Sequence, residues 1–127
     1  MLFRSVTLAD HSVVQPDVIY VSASRRDMIA EEGVQGAPDL LVEVLLPGPS
    51  RRERYEKSKL YAESGVREYW IADYELRHIT FLVNRESRFG VELPVDDRYR
   101  SPALPEIELD LAALWRDFDH LLPRRAA

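Results

Sequence analysis

The sequence predicts an α/β (α+β) fold, and three stretches carry that expectation. The run Leu40-Leu41-Val42-Glu43-Val44-Leu45-Leu46 is apolar at every position but one, as in a strand covered on both faces in the middle of a sheet, and Pro47-Gly48-Pro49 stops it. Directly afterwards, Ser50 and Glu53 form a Ser-x-x-Glu capping box that opens a helix running to about Ser64, where Gly65 ends it. The segments Glu68 to Asp73, His78 to Asn84 and Phe89 to Val95 then read as consecutive strands, the last two joined through Arg85-Glu86-Ser87-Arg88.

The flanks are shorter and more broken. Leu2 to Leu8 and Val13 to Val21 are β-branched and apolar on either side of Ala9-Asp10-His11, which predicts an opening hairpin. Ser24 is a candidate N-cap for a short helix or turn over 25–32, closed by Gly33 and Gly36. Near the other end, Leu104 to Leu109 leads into Asp110, a cap for the helix that begins Leu111-Ala112-Ala113-Leu114-Trp115-Arg116, and residues 123–127 are expected to fray. A length of 127 residues suits one hydrophobic core, so a single domain over 1–122 is expected.

Composition removes several classes of chemistry. With no cysteine the chain has no disulfide framework, thiolate metal site or cysteine nucleophile, so any metal must be held by oxygen or imidazole. A net charge of −5 argues against a broad, non-specific nucleic-acid coat and leaves room only for a local basic patch. No apolar stretch approaches the roughly 18 to 20 residues of a membrane helix, and the first residues lack the pattern of a signal peptide, so a cytoplasmic location is expected.

The chemistry gathers around two acids. Asp17 lies in the apolar run 13–21 and Glu43 in the run 38–46, where an ionised carboxylate is costly unless it meets a cation or several hydrogen bonds. A lysine-bearing helix follows the second run, and two acids with one amine are the makings of a metal-dependent nuclease site. At about 100° per residue, Leu60 lies about 60° to one side of Lys57 and Tyr61 about 40° to the other, whereas Lys59 points about 200° away with Tyr55 and Ala62. If the Tyr61 face covers the sheet, Lys57 reaches towards Glu43 and Lys59 does not. Spacing alone leaves a Glu53–Lys57 pair on a solvated helix face as an equal alternative.

Other residues have plainer readings. Asp39 follows Pro38 at a strand entrance and is expected to cap the turn, with a reserve role as a metal ligand. His11, His78 and His120 have no metal-ligand spacing, and Trp70, Tyr69, Trp115 and Phe118 read as core or interface anchors. Arg51, Arg52 and Arg54, interleaved with Glu53 and Glu56, read first as a charge-balanced helix start and second as contacts for flanking phosphates.

Four segments together resemble a known family: Gln15-Pro16-Asp17-Val18; Ala37-Pro38-Asp39-Leu40-Leu41-Val42-Glu43-Val44-Leu45; Glu53-x-x-x-Lys57-x-x-x-Tyr61; and Gly65-Val66-Arg67-Glu68-Tyr69-Trp70-Ile71-Ala72-Asp73. In order and spacing they are similar to the Uma-two family of restriction endonucleases, a branch of the PD-(D/E)XK nuclease-like superfamily, closely over Val13 to Asp73 and loosely beyond. The resemblance implies a restriction endonuclease-like mixed β-sheet flanked by helices and a hydrolase that cleaves DNA phosphodiester bonds. It also implies Mg²⁺ or Mn²⁺ held by Asp17, Glu43 and the Val44 carbonyl. Asp17 matches the Pro-Asp acid and Glu43 the second acid, but the E-x-K lysine position is Leu45, and Lys57 matches an amine supplied from the following helix. Glu53 stands where relatives usually carry Asp.

Relatives also resemble longer chains with elements ahead of the Gln-Pro-Asp segment, so an N-terminally shortened fold is expected, and with it a homo-oligomer, in the simplest case a dimer, that covers the exposed edge. The competing expectation is a catalytically inactive relative that binds nucleic acid or serves as an oligomeric structural protein.

Overall fold

The structure, a computed structural model, describes residues 5–8, 12–31, 33–45 and 51–121. These divide into two compact units, 1–92 and 93–127. The expected Pro47-Gly48-Pro49 stop, the Ser50 cap, His11 and the frayed tail lie outside the described residues.

The described residues of the first unit form two mixed sheets and one long helix. Strands β1 (Val6–Thr7) and β2 (Val13–Val14) pair antiparallel, which is the expected opening hairpin. The run 13–21 does not continue as one strand, however. Pro16 has no amide to give a ladder, and beyond it the chain enters the other sheet as β3 (Val18–Tyr20).

The short helix expected over 25–32 is also different. Residues Ala23–Met28 form a 3₁₀ turn with no side-chain cap bond from Ser22, and the chain then folds back as β4 (Ile29–Ala30) and β5 (Gly33–Gln35). β-Branched Ile29 stands opposite Val34 in this hairpin, and β5 also runs parallel to β1, giving the order β2-β1-β5-β4. Backbone geometry sets the turn: Gly33 has φ of 130°, and a Cβ there would lie 2.5 Å from the Ser5 carbonyl oxygen.

The second sheet follows the sequence pattern closely. Strands β6 (Leu40–Val44), β7 (Glu68–Asp73), β8 (His78–Arg85) and β9 (Arg88–Glu92) join β3 in the order β3-β6-β7-β8-β9. The apolar run at 40–44 thus becomes an interior strand, antiparallel to β3 and parallel to β7. Helix α1 (Arg51–Ser64) connects β6 to β7, as a parallel pair requires. It ends where Gly65 takes φ of 94°, the Gly65 amide donating to the Ala62 carbonyl at 3.2 Å and the Val66 amide to the Tyr61 carbonyl at 3.1 Å. Glu86 and Ser87 both have positive φ in the β8–β9 turn, matching its two-residue length to the twist of the hairpin.

Register decides the faces. Leu41 pairs with Tyr69 and Glu43 with Ile71, so these four side chains share the sheet face that meets α1. The core gathers Val6, Leu8, Ile19, Val34, Leu41, Tyr61, Val66 and Tyr69 from both sheets and the helix, each apolar side chain contributing about 1.5 to 3 kcal/mol by leaving water.

In the second unit, β10 (Arg98–Arg100) pairs antiparallel with β11 (Glu108–Asp110), and Asp110 caps α2 (Leu111–Leu121) by accepting the Ala113 amide at 3.1 Å, as the sequence predicts. Trp115 and Phe118 meet edge to face on α2. No helix among the described residues is long and apolar enough to cross a membrane.

The close approach at Gly33 predicts that Gly33→Ala lowers unfolding free energy by more than about 2 kcal/mol in urea titrations. Gly90→Ala, where an added Cβ meets nothing within 4 Å, is expected to stay within about 0.5 kcal/mol of the parent.

Candidate active site

Two neighbouring strands bring the predicted acids together. The β3–β6 ladder ends at the Val18–Val42 pair, so Asp17, in the bend just ahead of β3, comes beside the Glu43–Val44 end of β6, and both acids line one cleft. The Asp17 carboxylate turns along the end of the ladder and accepts the Val44 amide at 2.7 Å through Oδ2. It borders a cleft of about 250 Å³ whose lining includes Glu43, Val44, Arg54, Lys57 and Tyr69. Leu45, at the E-x-K lysine position, adds an apolar patch to the same wall.

Glu43 meets three donors in the cleft. Its Oε1 accepts from the Tyr61 hydroxyl at 2.8 Å and faces Lys57 Nζ at 3.5 Å, and its Oε2 accepts from the Tyr69 hydroxyl at 2.5 Å. The Glu43 side chain is 16% exposed and that of Lys57 53%, so the acid is fixed from inside while the amine remains open to solvent. Burial, and then the Glu43 carboxylate, push both phenols far above the ordinary tyrosine value, so each remains a proton donor throughout the working pH range.

The helical-face expectation holds for both lysines: Lys57 turns to Glu43, and Lys59 pairs with Glu63 at 3.9 Å where both are exposed. Ala62 departs from it. Placed with Lys59 by angle alone, Ala62 is nonetheless 3% exposed, and its carbonyl accepts Asn84 Nδ2 at 2.9 Å.

Asp39 lies elsewhere and is fully engaged. It is completely buried and accepts the Ser22 amide at 2.7 Å and Arg25 at 3.0 Å, with Arg67 at 3.5 Å. Burial alone would raise its pKa, but the Ser22 amide and the Arg25 guanidinium outweigh burial and hold it below the usual 3.8. Asp39 thus ties the entrance of β6 to the segment around Ser22 and Arg25 and does not cap its own turn, and with two arginines upon it the reserve-ligand expectation is set aside. His78 and His120 are exposed and outside the cleft lining. Arg52 pairs with Glu56 at 3.1 Å on the exposed helix side, leaving Arg54 as the described arginine of this trio that borders the cleft.

The sequence places Tyr69 as a core or interface anchor and Tyr61 on the helix face of Lys57, but it does not reveal what their hydroxyls do. The signal was available in part, since Tyr61 is four residues beyond Lys57 and Tyr69 lies two before Ile71, the register partner of Glu43. Among the described residues no group of three or more His, Cys, Asp or Glu gathers in a way that could hold a metal.

Three comparisons bear on this arrangement. A protein-family model named Uma2 and described as "Putative restriction endonuclease" matches residues 4–112. A search of curated proteins found no match. Among solved structures, a crystal structure from Anabaena variabilis, described as "a putative nuclease belonging to DUF820", is similar with a TM-score of 0.68 at 21% identity. That match covers 91% of this chain, which spans 66% of the neighbour's length, and it agrees with the mixed-sheet fold.

Because the Asp39 carboxyl titrates lower in the folded chain than its ordinary 3.8, its stabilisation is complete above that pH and is lost as pH falls through the folded value. Asp39→Asn is expected to cost about 2 to 3 kcal/mol at neutral pH, at or below the low end for a broken buried pair because both arginines reach solvent. In urea titrations the gap between parent and variant should narrow as pH is taken below 3.8.

Proposed function

This chain belongs to the Uma2 family, and we propose that it is a divalent-metal-dependent DNA endonuclease acting from the cleft between β3, β6 and α1. The observation that carries this reading is the presence in one cleft of Asp17, from the bend ahead of β3, and Glu43, on β6, with Lys57 delivered from the next helix. The donor set suits Mg²⁺ or Mn²⁺. Two carboxylates and a backbone carbonyl form a sparse, all-oxygen set, and Mg²⁺ is commonly held by one or two carboxylates while water and substrate phosphate complete its shell. The amide and carbonyl of a strand residue leave on the same side, so Val44, whose amide reaches Asp17, directs its carbonyl towards the same edge.

Asp17 and Glu43 would hold the ion. When bound, it supplies Lewis acidity that favours water attack and offsets charge growing on the phosphodiester. Lys57, held only at 3.5 Å and half exposed, is free to swing from Glu43 to orient the attacking water or meet the developing charge. Arg54 on the cleft wall suits a flanking phosphate, a local contact consistent with an acidic chain. The inactive, nucleic-acid-binding reading draws support from Leu45, which leaves the strand itself without an amine. A homodimer completes the proposal: β9 is an edge strand of its sheet and presents Val91 at 63% exposure.

Lys57→Ala is expected to abolish Mg²⁺-dependent DNA cleavage with little change in metal affinity, while Lys59→Ala retains parental rates. Equal cleavage by the two variants excludes Lys57 from the chemistry, and absence of cleavage by the parent on linear, supercoiled and single-stranded DNA favours the inactive reading. Light scattering should find a dimer, and a well-folded monomer at micromolar concentration would contradict that part.

A further inference from the structure

Glu43 meets three donors from two elements, and two of them are phenols that the nuclease reading does not use. Tyr61 and Tyr69 are 0% and 1% exposed, and their rings meet edge to face with centroids 4.9 Å apart. One hydroxyl reaches each carboxylate oxygen, Tyr61 to Oε1 and Tyr69 to Oε2. A carboxylate held at both oxygens by rigid, packed donors has lost the rotation that a glutamate side chain normally keeps. Asp17 has a simpler version of the same restraint, with one oxygen on the Val44 amide.

We infer that Tyr61 and Tyr69 are positioning residues that hold the Glu43 carboxylate in the orientation from which it receives a divalent cation. The inference rests on the nuclease reading and extends it to the residues behind the acid. Lone-pair counting assigns the two phenols different weights. In this structure Oε1 is shared by Tyr61 and the loosely held Lys57, whereas Oε2 carries Tyr69 alone and would keep one lone pair for an ion even while Lys57 stays on Oε1. Tyr69 therefore restrains the oxygen that binds, and Tyr61 restrains the one that anchors. Removing a donor also makes the oxygen more basic, which favours metal, but the loss of fixed geometry dominates where outer partners orient a ligand.

The test is calorimetric titration of the full chain with Mn²⁺, comparing the parent with Tyr61→Phe, Tyr69→Phe and the control Tyr55→Phe, whose side chain is on the exposed part of α1. Phenylalanine preserves ring packing, so thermal unfolding should stay cooperative in each variant. Tyr69→Phe is expected to weaken Mn²⁺ binding about tenfold or more, Tyr61→Phe by a smaller factor, and Tyr55→Phe not at all. Parental affinity in folded Tyr61→Phe and Tyr69→Phe would overturn the inference and leave the nuclease reading standing. A parent that binds no Mn²⁺ would overturn both.

A second readout needs no folded variant. Mn²⁺ added to the parent should perturb the ultraviolet absorption of tyrosine, because an ion on Glu43 alters the hydrogen bond that the phenols donate. Saturable Mn²⁺ binding with an unchanged tyrosine spectrum would count against the inference.

Discussion

The Glu43 carboxylate joins the three elements from which the site is built. It stands on β6, receives Lys57 and Tyr61 from α1, and receives Tyr69 from β7. An ionised acid at 16% exposure is tolerable only with such company, and the company in turn fixes where the helix sits over the sheet. If α1 slid by one turn along the sheet, Lys57 and Tyr61 would leave together, since both project from the same stripe. The constraint is thus shared between stability and chemistry. The hydrogen bonds that make a buried acid affordable also preset its aim.

Asp39 shows the contrast between an acid used for architecture and one available for binding. Asp39 and Glu43 belong to the same segment, four positions apart, and both face opposite charge. Asp39 has no exposure and its charge is already met by two arginines beside a backbone amide, so an ion has neither access to it nor an uncompensated charge to meet. Asp17 keeps Oδ1 without a partner among the described residues, and Glu43 keeps one site on Oε2. Access to solvent and the charge of the partners, more than the number of bonds accepted, separate Glu43 from the structural acid: Asp39 is fully buried against two guanidinium groups, whereas Glu43 is 16% exposed and meets two neutral phenols and one loosely held amine.

What could be read from the sequence depended on how local each feature is. The helix at 51–64 and the strands at 68–73 and 78–85 were legible because a capping box, a terminal glycine and aromatic or β-branched runs lie within the elements themselves. The two acids were legible because they interrupt apolar runs. The sheet change at Pro16 and the β4–β5 hairpin were not, since each depends on partners far along the chain: Leu41 for Ile19, and the Ser5 backbone for Gly33. The tyrosines fell between these cases. Hydropathy announces that such rings are buried, but the acceptor of a buried hydroxyl follows from the register between β6 and β7, which no short window contains.

Pro16 acquires a further meaning from its place between the two sheets. It is buried, it cannot extend the β2 ladder, and the next residue is the acid at the mouth of the cleft. Side chains alternate along a strand, so a slip of a single residue in β3 would turn Asp17 to the opposite face of the sheet and leave Glu43 facing a neighbour of another kind. A ring with a fixed torsion directly ahead of β3 limits such slippage. The Pro-Asp pair thus sets the start of the β3 pairing and the acid side by side in the chain, a mechanical arrangement separate from the chemistry proposed for the acid.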